Sequence, residues 1–343
     1  MTVHCKYWGI VAALFMGVVF SQSAHAWGHE GHQTIGAIAD SLLEGTPAEK
    51  EITEILGSEK LETAALWADC VKGVSNGAPY KYHLNAHFPE CDPFQQSAAG
   101  REEMEDYVRR NARNCHSGAG EEMCHKTYHY ADVAIEHDTY DRADQGTSDH
   151  DVVSAINAAI ARLKDESVPP PFSFRSRKEA LRVLAHLVGD VHQPLHVGAI
   201  YLDASGHETN PDVGTFDPAS KTRGGNLLIH GRSRKLHAEW DDIPRTLTVS
   251  RFINEGVARA KRIHPSAAPA SKWPQQWAGE TVGVSREAFA GLTFGVETSA
   301  STRGATWPVV EPPGYAAHRA AMQKEQLVRA GARLAQLLEV VFP

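Results

Sequence analysis

Arg177-Lys-Glu-Ala-Leu181-Arg-Val-Leu184-Ala-His186-Leu-Val-Gly-Asp190-Val-His-Gln193-Pro194-Leu195-His196 is the stretch on which the reading of this chain turns. Leu181, Leu184, Ala185 and Val188 recur at helical spacing and predict a helix over 177–191. His186 and Asp190 lie four apart, which puts both side chains on one helical face. The helix is largely apolar, so that face is expected to turn inward. A buried carboxylate beside an imidazole costs several kcal/mol unless a cation or hydrogen-bond donors compensate. His196 follows just past the break made by Pro194.

The same spacing recurs downstream in Leu236-His237-Ala-Glu-Trp240-Asp241. One His/Asp pair is more often a surface hydrogen bond than a ligand pair. Two such pairs plus a His at a helix end point to a metal. Imidazole and carboxylate without thiolate suit zinc in a hydrolytic site. Upstream, Ala65-Leu-Trp67-Ala-Asp69 ends an apolar helix with an acid, and Tyr128-His129-Tyr130-Ala-Asp132 offers a His and an Asp three apart. His83 and His87 rival His129, being nearer Asp69 in sequence.

Residues 1–26 read as a secretory leader: Lys6, an apolar run from Tyr7 to Phe20, then Ala24-His25-Ala26 as a small-x-small cleavage site. The run is short for a membrane span, and no second one of spanning length follows. Cleavage would expose Trp27, whose α-amine and carbonyl form a five-membered chelate that His32 completes. The expected location is secreted or periplasmic, with no membrane anchor after cleavage. The formal charge of −8 argues against gripping duplex DNA through a broad basic face. Cys70, Cys91, Cys115 and Cys124 remain after the leader, an even number that predicts two disulfides in any of three pairings.

Amphipathic periodicity predicts further helices over 33–43, 48–56, 61–71, 101–114, 152–163, 251–263, 274–289 and 317–341, with prolines at 169–171 stopping one of them. Strand-like alternation is confined to short runs such as Leu227–His230. The expected class is all-α: a single mainly helical domain over 27–343, with 73–126 as a Cys-containing insertion.

The motifs Trp-Gly-x-x-Gly-His at 27–32, Trp-Ala-Asp, His-Tyr-x-Asp, His-x-x-Gly-Asp-x-x-Gln-Pro-Leu-His, Gly-Gly-Asn and Leu-His-x-x-Trp-Asp occur in this order. In this the chain resembles the S1/P1 nuclease family, secreted trinuclear zinc nucleases related in fold to zinc phospholipases C. The resemblance covers nearly all of 27–343. It implies three Zn2+. Asp69, His129, His186 and Asp190 would hold the first, and His196, His237 and Asp241 the second. Trp27, His32 and the bridging Asp190 would hold the third.

It further implies a hydrolase: a metal-dependent endonuclease cleaving single-stranded DNA or RNA to 5′-phosphorylated products, with 3′-nucleotidase activity. Asp132 would orient or deprotonate the attacking water. Lys72 stands where the family commonly has Arg, keeping the charge but losing the bidentate fork. Asn226 would contact base or sugar, or only cap a turn. Nucleic acid and nucleotides are the expected partners as substrate, and no stable protein partner is implied. A zinc phospholipase C on the same core is the alternative, and a non-catalytic zinc binder a third.

Overall fold

The computed structural model describes residues 27–84, 88–115, 122–300 and 304–343. The predicted leader and His87 lie outside them.

Ser176 accepts the Glu179 N–H at 3.1 Å and starts the helix Arg177–Asp190. Every residue from Ala180 to Asp190 is buried. Around it pack Val152–Leu163, Leu61–Ala64, His29–Leu43 and the C-terminal Tyr315–Val341. His29–Leu43 and Tyr315–Val341 meet closely. A Cβ on Gly331 would lie 2.6 Å from Ile38 Cγ2, so only glycine permits this approach. Asp40 on the first helix accepts the N–H groups of Leu61 and Glu62 at 3.1 and 3.0 Å, satisfying donors that a helix start leaves orphaned.

The structure is mainly helical, with two departures from expectation. The helix expected over 61–71 splits into Leu61–Ala64 and Trp67–Cys70, followed by a 3₁₀ turn at Val71–Gly73. A tighter i→i−3 bond, Leu66 N–H to Thr63 at 3.0 Å, marks the break. The second departure is a five-stranded sheet. Its central strand Gly304–Val310 pairs with Leu228–His230, Thr293–Phe294 and Thr298–Ala300, and Arg234–Lys235 extends it as a hairpin. Leu228, Trp307, Trp240 and Tyr315 fill a second core beneath it.

The 73–126 excursion shares the main core. Its helix Ala98–Asn111, capped by Ser97, contributes Met104, Tyr107 and Val108, and Tyr107 meets Trp67 edge-on at 5.0 Å. The disulfides are Cys70–Cys91 and Cys115–Cys124. Among the described residues no helix is long and apolar enough to cross a membrane.

Two short segments carry site residues to one another. Val133–Ala134 pairs in parallel with Gly198–Ala199. That pairing, with the Ala131 N–H donating to His196 O at 2.7 Å, brings the chain bearing His129 and Asp132 alongside the chain bearing His196.

Candidate metal centre

His186 and Asp190 are fully buried on the Arg177–Asp190 helix. His186 Nδ1 lies 2.6 Å from the Ala65 carbonyl, His196 Nδ1 2.8 Å from that of His129, and His237 Nδ1 2.7 Å from that of Gly224. A carbonyl only accepts, so each Nδ1 carries the proton and each Nε2 presents a lone pair. This is the tautomer of an imidazole ready to ligate through Nε2.

Those lone pairs converge with carboxylates. His186 Nε2 is 3.1 Å from His129 Nδ1, 3.2 Å from Asp190 Oδ2 and 3.6 Å from Asp69 Oδ1. His129 Nδ1 is itself 2.9 Å from Asp190 Oδ2. His32 stacks on His186 with ring centroids 3.7 Å apart, and its Nε2 reaches 3.4 Å from Asp190 Oδ1. In the other half, His237 Nε2 is 3.5 Å from Asp241 Oδ2 and His196 Nε2 is 3.9 Å from Asp241 Oδ1. Three sets of potential ligands result, each with ligand atoms within 4.8 Å: His32/His186/Asp190, Asp69/His129/His186 and His196/His237/Asp241.

These residues fit a cation on an observation independent of any motif. Both nitrogens of His32, Oδ1 of Asp190, Nε2 of His196 and Oδ2 of Asp241 are buried without a hydrogen-bond partner. Each such group costs about 1–3 kcal/mol if left unmet. Five of them in one place are what a ligand shell looks like before its ion is added.

The electrostatics agree. Burial drives His32 down to about 4 and His129 to about 3, so both are neutral donors. Burial also lowers His196 and His237. At Asp190 burial is outweighed by the neighbouring imidazoles of His186, His196 and His129, which hold it well below the carboxylate range. Asp241 moves the other way: burial, reinforced by Asp69 and Asp190, raises it well above that range despite a hydrogen bond from Gln193.

Trp27 is fully buried and its indole N–H donates to Gly189 O at 2.9 Å, while the Gly28 N–H donates to Asp241 O at 2.8 Å. The start of 27–343 thus bridges the two halves of the cluster. Lys72 Nζ lies 2.5 Å from Asp69 Oδ1. Burial would lower its pKa, but Asp69 and Asp190 outweigh burial and keep it charged. Beside Asp69 and Lys72 opens a cavity of about 100 Å³, walled on its far side by Phe88, Glu90 and Cys91 of the excursion.

Asp132 and Asn226 belong to none of the three sets. Asp132 is buried and pushed up to about 6 by burial, against the pull of Lys221 and Arg223. Asn226 turns its amide on its own loop, donating to Arg223 O at 3.1 Å and accepting from Lys235 at 3.4 Å. His83 is exposed and belongs to none of the three sets.

Two supporting residues escaped the sequence reading. Gln193 Nε2 donates to Asp241 Oδ1 at 2.7 Å, and Gly189 leaves room for His32, since a Cβ there would sit 2.8 Å from its Nδ1. Gln193 was visible only as part of a motif, and Gly189 only as a helical glycine without an evident reason. Two more His/acid groups, His137/Asp144/Asp212 and His230/Glu239/Glu311, also appear. In the latter Arg319 already supplies the cation, 2.9 Å from Glu239. His192 is buried and takes a hydrogen bond from Arg333 at 3.0 Å.

Compared with known proteins, residues 27–343 match the family model described as S1/P1 Nuclease. Among Arabidopsis thaliana proteins, the chain is 26% identical to Endonuclease 2 over 63% of its own length and 55% of that protein. It is 28% identical to Endonuclease 1 over 51% of its length and 45% of that protein, and 22% identical to Endonuclease 4 over 93% and 90%. The match thus spans about half the length of the first two.

Proposed function

Because this chain belongs to the S1/P1 nuclease family, we propose that it is a zinc-dependent phosphodiesterase. It cleaves single-stranded DNA and RNA to 5′-phosphorylated products and releases phosphate from 3′-nucleotides. The observation that carries this reading is the buried convergence of five imidazoles and three carboxylates with unmet ligand atoms.

Asp69, His129, His186 and Asp190 would hold one zinc and His196, His237 and Asp241 a second. His32, Asp190 and the freed amine and carbonyl of Trp27 would hold a third. When bound, zinc supplies Lewis-acid charge and lowers the pKa of a water toward neutrality. The chain does the rest. Asp132, half ionised near pH 6, takes and holds the proton of the attacking water. Lys72, kept charged by Asp69, offers a positive group for developing phosphate charge. Bases stacked in a duplex are unavailable to a pocket at the scissile phosphate, which favours single strands. Two disulfides suit an exported protein.

Metal analysis of protein beginning at Trp27, combined with assays on denatured DNA, RNA, 3′-nucleotides and phosphatidylcholine, tests the reading. Three zincs per chain and nucleotide release are expected. Lipid cleavage without nucleotide release would replace it by a zinc phospholipase C, and metal without turnover by a non-catalytic binder.

A further inference from the structure

In a chain of net charge −8, residues 218–238 carry Lys221, Arg223, Arg232, Arg234 and Lys235 and no Asp or Glu. A one-sign run is usually just a solvated face. Here its placement says more. Resting on the nuclease reading above, we propose that this segment is the track along which a single nucleic-acid strand leaves the metal centre.

The segment is fastened to the centre at Gly224. Gly224 gives its carbonyl to His237 Nδ1 at 2.7 Å and its N–H to the Asp132 carboxylate. A side chain at Gly224 would collide with Leu195 O at 2.1 Å, so the turn is pinned against the His196 loop. From there the chain runs out along Leu228–His230, turns at Gly231 and Arg232, and returns through Arg234–Lys235 to His237. Arg232 is five positions from His237, so the tip lies within about 18 Å of the centre. Arg223 and Arg232 are exposed, and among the described residues no carboxylate pairs with Arg232. Arg234 is partly occupied, 3.1 Å from Glu239, and Lys221 and Arg223 also face Asp132.

An aromatic group accompanies the charges. Lys221 Nζ lies 5.6 Å over the half-buried Phe216 ring. Cations that follow a backbone, with a ring on which a base can stack, are the ordinary means of holding a single strand without reading its sequence. Such a surface serves a polynucleotide and is idle for a mononucleotide or a dinucleotide.

The test compares wild type with an R232Q variant in the zinc-loaded protein, leaving Arg223 in place because it faces Asp132. The substrates are a long single-stranded oligodeoxynucleotide and a dinucleotide, across a salt series. For the long strand KM should rise, and the slope of log(kcat/KM) against log salt should shrink by about 0.7, the value for one phosphate no longer neutralised. Dinucleotide kinetics should change less than about twofold, and R232K should restore most of the salt slope. An unchanged slope, or equal losses on both substrates, overturns the track. If wild type cleaves neither substrate, the nuclease reading itself falls, which is a different result from cleavage with an unaltered slope.

Discussion

Gln193 Nε2 donates to Asp241 Oδ1 at 2.7 Å, while Gln193 Oε1 accepts the Leu195 N–H at 2.5 Å. One amide therefore fixes a carboxylate 48 residues away and the short helix that carries His196. With Oδ1 engaged, Oδ2 of Asp241 is left for a ligand.

Replacing Gln193 by Ala should therefore loosen Asp241 and weaken the His196/His237/Asp241 site by roughly 10–100-fold, the usual effect of losing a partner that orients a metal ligand. Zinc titration of the purified variant measures this. Full occupancy at wild-type affinity would show that Asp241 needs no such support.

Gly189→Ala should push His32 off His186, because the new Cβ would stand 2.8 Å from His32 Nδ1 and 3.2 Å from Ile35 Cδ1. Overpacking of this kind costs about 1–3 kcal/mol. The expected signature is selective loss of the zinc assigned to His32 and Asp190, with the His196 site retained. Equal loss at every site would mean a general packing failure.

Asp132 gives a pH dependence whose sign differs for stability and for turnover. Its pKa rises from 3.8 to about 6 on folding, through burial. In metal-free protein the native state then binds the extra proton between those values. The contribution favours the fold below that window and is lost as pH rises through it. As the base proposed above, Asp132 must be ionised for turnover, so kcat/KM on an oligonucleotide should climb as pH passes about 6. Asp132→Asn should abolish that limb and lower kcat by about 10²–10⁴-fold. A variant with the wild-type profile would remove Asp132 from the reaction.

Chelation should destabilise the fold as well as silence it, since Asp69, Asp190 and Asp241 crowd one buried region. Zinc at about 100 times its Kd adds about 2.7 kcal/mol per site. Calorimetry with and without a chelator reads this as a drop in Tm. An unmoved Tm would leave the cluster self-sufficient without metal.

The clustered pairs were legible because periodicity reports helical faces: His186 with Asp190, and His237 with Asp241, needed only a spacing of four and apolar neighbours. What supports them was not. Gln193 acts across 48 residues, and no local pattern encodes that reach. The sheet was hidden for two reasons. Thr293–Phe294 and Thr298–Ala300 are too short to alternate, and the central strand contains Pro308, a residue that argues against a central strand. Pro308 is tolerated because it needs only its carbonyl, which accepts the Gly295 N–H at 2.8 Å. The helix over 61–71 failed because apolar spacing does not distinguish a continuous helix from two short ones joined by a 3₁₀ step.

The Cys70–Cys91 bridge has a consequence for timing. Cys70 follows Asp69 directly, and Cys91 walls the cavity beside it, so this covalent tie secures the excursion next to the Asp69 carboxylate. While both sulfurs remain thiols, as in a reducing cytosol, that wall is not yet stapled in place. Oxidation then completes the scaffold, so the redox state of the surroundings decides when the wall beside Asp69 is finished.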